Sequence, residues 1–297
     1  MKNQARVVII GGGITGSSIA YHLTAMGWKD VVVLDKGELT SGATFHAAGL
    51  VGQLRASVNI TKMLKYSIEL YSRLEKETGQ HTGWSEVGGL RIASSKDRME
   101  ELRRSSAMAK TFGLPMELLS PKEACELFPV MEKRGIVGAA FLPTDGQIDP
   151  SGVTYALAKG ARDRGATIYT ETRVTGIKAK NGAVGEVITE KGNIKTEIVV
   201  NAAGIWAPEI GKMVGVSIPI IPMEHQYIIT KPIEGVRKGM TTMRDPDLLV
   251  YFREELGGLI MGGYERNPIP WALDGIPRNF TKTLLKSNYE HFEPLSR

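Results

Sequence analysis

Cysteine is almost missing from this sequence. Cys125 is the one thiol in 297 residues, so no intrachain disulfide can form and the fold must rest on its core. Long apolar runs are missing too. The longest, such as Val7–Ile10 and Val31–Leu34, are strand-length and fall far short of the ~20 residues a membrane-spanning helix needs. Charge of one sign is not in large excess: 37 Lys and Arg against 32 Asp and Glu leave +5, with most basic residues beside acidic ones. Aromatics are 7% of the chain and do not interleave with a basic stripe, so nucleic acid is not an expected partner. The mild positive bias does suit a carboxylate-bearing small molecule. His81 and His291 lack partners at metal-ligand spacing, and no metal is expected. No signal or Arg-rich transit segment precedes Val7. The expected location is therefore the cytoplasm, or the mitochondrial matrix if the source is eukaryotic.

What is plentiful is glycine, 34 residues without a three-residue period, which asks for tight turns and close backbone approaches. With 42% apolar and 23% charged residues the composition is globular. Val7–Ile10 reads as a parallel strand buried on both faces. Ile19, Leu23 and Met26 then recur at helical spacing up to Gly27, and Val31–Leu34 is a second buried strand. This is a β-α-β unit within 35 residues. Leu39 to Gly52 is a loop of small residues. Helices are expected over Asn59–Thr78, over Met99–Ala109, after the Ser120-Pro121-Lys122-Glu123 capping box, and from Asp149-Pro150 to Arg164. Ala166–Tyr169 reads as a third parallel strand. Three short strands with hairpin turns at Asn181-Gly182 and Lys191-Gly192-Asn193 follow, then a buried strand, Ile198–Gly204. Further strands are expected within Gly88–Ala93, Glu224–Thr230, Leu248–Arg253 and Leu259–Gly262, and a helix within Thr281–Phe292.

Gly11-x-Gly13-x-x-Gly16 lies between the first strand and the first helix, and Asp35 ends the second strand. In that context the pattern is a dinucleotide fingerprint. Gly11 permits the turn, Gly13 admits a pyrophosphate to the backbone, and Gly16 lets helix and strand pack closely. The helix N-terminus offers unpaired N–H groups to phosphate, with Ile14 and Thr15 lining it. Asp35, with Lys36 beside it, is expected to bind the adenosine ribose. The small-residue loop after the second strand and the three-stranded meander suit FAD better than a nicotinamide nucleotide. Cys125 reads as a core residue, and His22 as an exposed one.

The stretch Ser41-Gly-Ala-Thr-Phe-His46-Ala-Ala-Gly-Leu50 resembles the flavoprotein part of the sarcosine and dimethylglycine dehydrogenases, within the D-amino-acid-oxidase-like FAD enzymes. The likeness continues in Gln53-Leu54-Arg55, Leu74–Trp84, Gly88–Leu90, Pro143–Gly146, Asp149-Pro150, Val199–Trp206, Met223–Tyr227 and Gly262–Pro268, and so covers nearly the whole chain. The implied fold is α/β (with α+β elements): a Rossmann-like FAD-binding domain with a β-meander, over residues 1–80 and 145–222, interleaved with a mixed-sheet substrate domain over 81–144 and 223–297.

The resemblance implies a covalent bond from His46 to the flavin, with Ala43, Thr44, Phe45 and Leu50 wrapping the flavin or its pyrophosphate. It places Val174 at the adenine and Gly204 at the cofactor; Trp206, which follows Ala203-Gly204, reads equally as a flavin neighbour and as a packing residue. The implied reaction is oxidation of the methyl C–H of an N-methylated glycine by hydride transfer to flavin, leaving an iminium. Its implied catalytic residues are His225 and Tyr251, and Arg253 and Tyr264 are candidates for the substrate carboxylate. Residues alone leave His225 open as a core histidine and Tyr251 as a sheet-packing aromatic. In the family the flavin domain continues with a Gly-rich segment over the ring and a folate-binding region. Tetrahydrofolate is therefore expected only in a longer form, and the ring side of the pocket is expected to be open here. Two alternatives remain at this level: another amine-oxidising flavoenzyme of the glycine oxidase or D-amino-acid dehydrogenase kind, and a non-catalytic regulatory relative.

Overall fold

A computed structural model of the chain describes residues 1–296; Arg297, the last residue of the second expected domain, lies outside them. Val7–Ile10 (β1) and Val31–Leu34 (β2) pair in parallel, Val7 opposite Val31 and Ile10 opposite Leu34. Thr167–Tyr169 (β8) adds to β2 and Ile198–Asn201 (β12) to β1, giving the order β12-β1-β2-β8. Both faces of this sheet are covered, which is why β1 and β2 are at most 5% exposed and read as unbroken apolar runs. On one face Val7, Ile9, Val31 and Val33 meet Ala20 and Ala161 of the helices Ile14–Ala25 (α1) and Pro150–Asp163 (α5). On the other, Val8, Ile10, Val32 and Leu34 bury against Val174, Val187 and Ile194. These three belong to an antiparallel meander of Val174–Lys180 (β9), Ala183–Thr189 (β10) and Gly192–Lys195 (β11).

The third parallel strand and the meander match the sequence expectation in place and order. The first hairpin turn is at Asn181-Gly182, both with positive φ (53° and 76°), as a two-residue turn of that twist requires. The second is one residue earlier than expected, at Glu190-Lys191, and Gly192 opens β11. β12 is half-buried rather than buried, because it is an edge strand whose one partner is β1.

A seven-stranded mixed sheet lies beyond, in the order β13-β16-β15-β14-β4-β6-β5. Its strands are Tyr227–Ile229 (β13), Gly258–Gly263 (β16), Val250–Glu255 (β15), Thr242–Asp245 (β14), Gly89–Ala93 (β4), Gly138–Leu142 (β6) and Glu117–Leu119 (β5). β14 and β4 run parallel; the other neighbours are antiparallel. Alternation decides what each face carries. Leu90, Ile92, Met243 and Leu259 bury against Ala124 of the helix Pro121–Leu127 (α4) and against Phe128, which ends it. On the opposite face Ala93, Ala140 and Leu142 bury against Leu102 and Ala109 of the helix Lys96–Thr111 (α3). That face continues across the register as Arg91, Arg244 and Tyr251.

The two sheets are tied by a short antiparallel pair, Leu50–Val51 (β3) with Gly146–Gln147 (β7). The long helix Val58–Thr78 (α2) adds to this tie: Leu70 and Leu74 share a buried cluster with Val153 and Leu157 of α5. Ser57 caps α2 at its start and Gly79, left-handed at φ 67°, ends it. The expected capping box at Ser120 and Glu123 is formed. A short helix, Ala207–Lys212 (α6), follows β12. The last helix, Tyr289–Ser296 (α7), begins later than the pattern from Thr281 suggests. Lys282 N–H donates to the Ser41 carbonyl, which holds the preceding segment against the 39–52 loop. Asn288 then accepts from His291 N–H and serves as the cap. Among the described residues no helix is long and apolar enough to cross a membrane, and no group of three or more His, Cys, Asp or Glu could hold a metal ion.

Candidate active site

The turn from β1 into α1 is built by glycines for separate steric reasons. Gly11 has φ +114°, and a Cβ there would lie 2.2 Å from the Ala202 carbonyl oxygen at the end of β12. A Cβ on Gly16 would lie 1.8 Å from the Gly11 oxygen, so α1 sits directly on the turn. Gly13 is the N-cap of α1 and offers no side-chain cap; Thr44 Oγ1 takes the Ile14 N–H, and the other N–H groups of the first turn are available to an anion. Above it lies a cavity of about 460 Å³, within the range of small-molecule sites. Of the cofactor residues expected from sequence, Gly11, Gly13, Ile14, Thr15, Asp35, Lys36, Ala43, Thr44, Leu50, Val174 and Gly204 line this cavity. Gly16 does not; its place is in the packing beneath.

Asp35 braces the turn itself. One carboxylate oxygen accepts from Gly12 N–H at 2.6 Å and the other from Gly37 N–H at 2.8 Å. Burial nevertheless raises its carboxyl above the ordinary range, against the pull of these two bonds. The Lys36 ammonium lies 3.6 Å above the Trp206 ring, a cation–π contact, and burial lowers its pKa. Trp206 also lines the cavity. So do Tyr71, Ile148 and Val153, which the sequence reading missed: Tyr71 and Val153 read only as parts of expected helices, and Ile148 falls in no expected element.

The 39–52 loop carries the 3-10 turn Ala43–His46. Thr44 Oγ1 accepts from Ile14 N–H at 3.1 Å and pins the loop to the start of α1. Ala43, Thr44, Ala47, Gly49 and Leu50 line the cavity, whereas Phe45 and His46 are not among its lining residues. Their rings pack on each other instead, 3.9 Å between centroids. The His46 imidazole is half-buried, and burial lowers its pKa, which favours the neutral ring. Gly49 has φ +78°, and a Cβ there would meet the Ile148 oxygen at 2.3 Å, so this glycine too is obligatory.

Leu50 and Val51 also line a narrow cleft with Arg91, Asp145 and Arg244. Three arginines surround one carboxylate here. Asp145 is buried and accepts from Gln53 N–H and Nε2 at 3.0 and 3.1 Å; burial raises its carboxyl. Arg55 and Arg91 both donate to the Leu54 carbonyl, at 2.8 and 2.9 Å. Burial and mutual repulsion with Arg244 lower both guanidiniums. Arg244 pairs through its backbone in the sheet, but its guanidinium has no hydrogen-bond or ion-pair partner among the described residues. The cluster carries excess positive charge and one uncommitted guanidinium, which suits a carboxylate.

Arg244 stands opposite Tyr251 in the β14–β15 ladder. The Tyr251 side chain lies over Gly262, where a Cβ would be 2.2 Å from the phenol oxygen. Its hydroxyl is 3.5 Å from His225 Nε2. The Tyr264 ring lies 5.6 Å from that of Tyr251 and 6.3 Å from that of His225. Three of the four expected catalytic and substrate residues are thus brought together. The fourth, Arg253, is committed elsewhere: its guanidinium donates to the Ala48 and Glu254 carbonyls and to Glu255. It ties β15 to the 39–52 loop and is not free for a carboxylate. Arg244, nine residues earlier, is the one left open; no motif in the sequence distinguishes it.

The fold and cleft define a protein of the β-α-β dinucleotide-binding class. Residues 6–297 match the family of FAD dependent oxidoreductases denoted DAO, and the chain belongs to it. Mitochondrial dimethylglycine dehydrogenase of Homo sapiens is 38% identical over 297 residues, matching 97% of this chain and 34% of its own length. Mitochondrial sarcosine dehydrogenase of Mus musculus is 42% identical over 277 residues, matching 91% of this chain and 30% of its own. The chain therefore spans about a third of the length of these relatives. Among solved structures, L-proline dehydrogenase from P. horikoshii superposes with a TM-score of 0.87 at 31% identity, covering all of this chain and 76% of that one.

Proposed function

We propose that this chain binds FAD in the 460 Å³ cleft and oxidises an N-methylated glycine, sarcosine or dimethylglycine. The observation that carries this reading is continuity. Leu50 and Val51 line both the nucleotide cleft and the arginine cleft, and Arg244 leads across the ladder to Tyr251, His225 and Tyr264. The residues present fit the cofactor. Gly11 lets the turn pass tight against Ala202, the α1 N-terminus beneath the cleft takes the pyrophosphate, and Asp35 and Lys36, which line the cleft, take the ribose end. FAD, when bound, supplies the two-electron acceptor. The protein's own part is to hold the substrate carboxylate at Arg244, pack its methyl group among Tyr251 and Tyr264, and keep the amine in its neutral, reactive form. In this reading residues 1–80 and 145–222 hold the nucleotide, and 81–144 and 223–297 hold the substrate. Anaerobic mixing of FAD-loaded protein with sarcosine, dimethylglycine, glycine and proline tests it. Bleaching of the flavin by the N-methylated glycines supports it, whereas bleaching by glycine or proline alone points to another amine oxidation. Bleaching by none favours a non-catalytic relative.

Replacing Arg244 with Met is expected to raise the half-saturating concentration of sarcosine about 10- to 100-fold, since a hydrogen bond to a charged group is worth roughly 1.5–3 kcal/mol. An N-methyl amine without a carboxylate is expected to be unaffected. Equal losses for both would remove Arg244 as the carboxylate site.

Attachment of the flavin through His46 belongs to the same proposal. Its support is an imidazole whose pKa burial lowers, on a turn in which Thr44 and Ala47 line the cleft. His46→Ala is expected to retain FAD in the native protein but to lose all flavin fluorescence from the acid-precipitated chain. Fluorescence that survives precipitation in the variant would place the linkage elsewhere.

A further inference from the structure

We propose that Glu265 is the positioning residue of this site: it holds the His225 imidazole as the Nδ1–H tautomer, so that the bare Nε2 is the atom that takes the proton from the substrate ammonium. This rests on the reading above only in identifying the proton donor as an amine. The geometry concerns the protein alone. Glu265 follows the end of β16, and its Oε2 lies 2.9 Å from His225 Nδ1. The Glu265 side chain is 6% exposed, against 43% for His225, so the carboxylate lies behind the ring and the imidazole faces outward. Glu265 Oε1 is buried with no hydrogen-bond partner among the described residues. An ionised carboxylate only accepts, so the proton between the two groups belongs to Nδ1. Nε2 is then a lone pair. Its neighbour is the Tyr251 hydroxyl at 3.5 Å, at the outer limit of a hydrogen bond. Burial, followed by the nearby Tyr264, Tyr227 and Glu265, pushes that phenol up to about 12. It stays protonated and does not compete as a base.

The proton step balances within these groups. The N–H bond of the ammonium breaks and its electron pair stays on nitrogen. A new N–H bond forms at Nε2, and the positive charge on the ring is matched by the Glu265 carboxylate on its other side. A protonated ring beside a buried carboxylate with one oxygen unsatisfied is electrostatically favoured. The arrangement repeats the logic of a nucleophile–base–acid chain, in which the buried acid orients the base and steadies its charged form. The Tyr264 ring lies 6.3 Å from the His225 ring with 28° between their planes.

The test is direct observation of the tautomer in the full chain labelled with ¹⁵N-histidine. Long-range ¹⁵N–¹H spectra are recorded at about pH 8, where an ordinary imidazole is neutral. The His225 signals are identified by their loss in His225→Gln. The expected result is the Nδ1–H form in the unaltered chain, with loss of that preference in Glu265→Leu. Glu265→Gln, close in shape, serves if the leucine variant does not fold, and its neutral amide is expected to give a mixture. An Nε2–H form in the unaltered chain, or an unchanged tautomer in the variants, overturns the assignment. As a second readout, the limiting rate of flavin bleaching by sarcosine is expected to fall about 10- to 100-fold in Glu265→Gln, as for loss of an outer partner of a functional histidine, with sarcosine affinity within about twofold. A correct tautomer without any bleaching by N-methyl amines would sink the amine-oxidation reading and leave the orienting role of Glu265 standing.

Discussion

Gly16→Ala is expected to abolish FAD retention and to lower the thermal midpoint by roughly 6–12 °C. The added Cβ would stand 1.8 Å from the Gly11 oxygen and 3.3 Å from Ile9 Cγ2. The first obstacle is backbone, which no rotamer change can move aside. Overpacking of this kind costs up to ~3 kcal/mol, and for a chain of this order each kcal/mol is worth roughly 2–4 °C. The loss of FAD has a second cause. To admit the methyl group α1 must lift from the turn, and that movement shifts Gly13 and Ile14, the amides at the helix N-terminus. Gly185→Ala is the control: its Cβ meets only the Lys178 oxygen, at 3.9 Å, and neither FAD content nor melting is expected to change. Normal FAD uptake by Gly16→Ala would show that the turn does not position the cofactor.

His225→Gln is expected to slow flavin bleaching by sarcosine about 10²- to 10⁴-fold, the range over which positioned acid–base groups act. FAD content is expected to stay normal, because His225 is not among the residues lining the nucleotide cleft. Glutamine fills much of the same space and can still meet Glu265, so the fold is expected to survive. Tyr251→Phe leaves the ring packed over Gly262 and removes only the hydroxyl. Because the phenol is pushed up to about 12, ionisation of Tyr251 is expected to leave no break in the rate of the unaltered chain between about pH 6 and 10. An unaltered bleaching rate in His225→Gln would move the proton-accepting role to another residue.

The first half of the architecture is legible because its signals are steric and local. Four-residue runs such as Val7–Ile10 and Val31–Leu34 are buried on both faces, so their apolar character is unbroken. Ser120 and Asp149 mark their helices at the first turn. The seven-stranded sheet is less legible. Gly138–Leu142 and Thr242–Asp245 are strands, yet their glycine, alanine and charged residues show little β-branched character. They are held by long-range partners that no local pattern reveals. The end of the chain misleads for a related reason. Residues from Thr281 have helical spacing, but the Lys282 amide is already committed to Ser41.

The site divides in the same way. The glycine turn and Asp35 follow from spacing, with Asp35 also bracing Gly12 and Gly37. The grouping of His225 with Tyr251 and Tyr264 came from resemblance, since the three residues lie on separate segments. Arg244 and Glu265 escaped notice because their significance lies in surroundings: one is a guanidinium without a partner among the described residues, the other a carboxylate buried behind an imidazole. Arg253 is the converse case. It is a basic residue on the right strand, but its donors are taken by Ala48, Glu254 and Glu255.

The account turns on a flavin seated above the β1–α1 turn and reduced by the methylated amine held beyond Leu50. Its most direct test is the visible absorbance of the FAD-loaded chain, titrated with sarcosine in the absence of oxygen. Loss of the oxidised flavin band in proportion to sarcosine, with formaldehyde appearing in equal amount, is the predicted result. A chain that takes up FAD yet keeps its full colour with sarcosine and dimethylglycine, while glycine or proline removes it, would contradict the proposal.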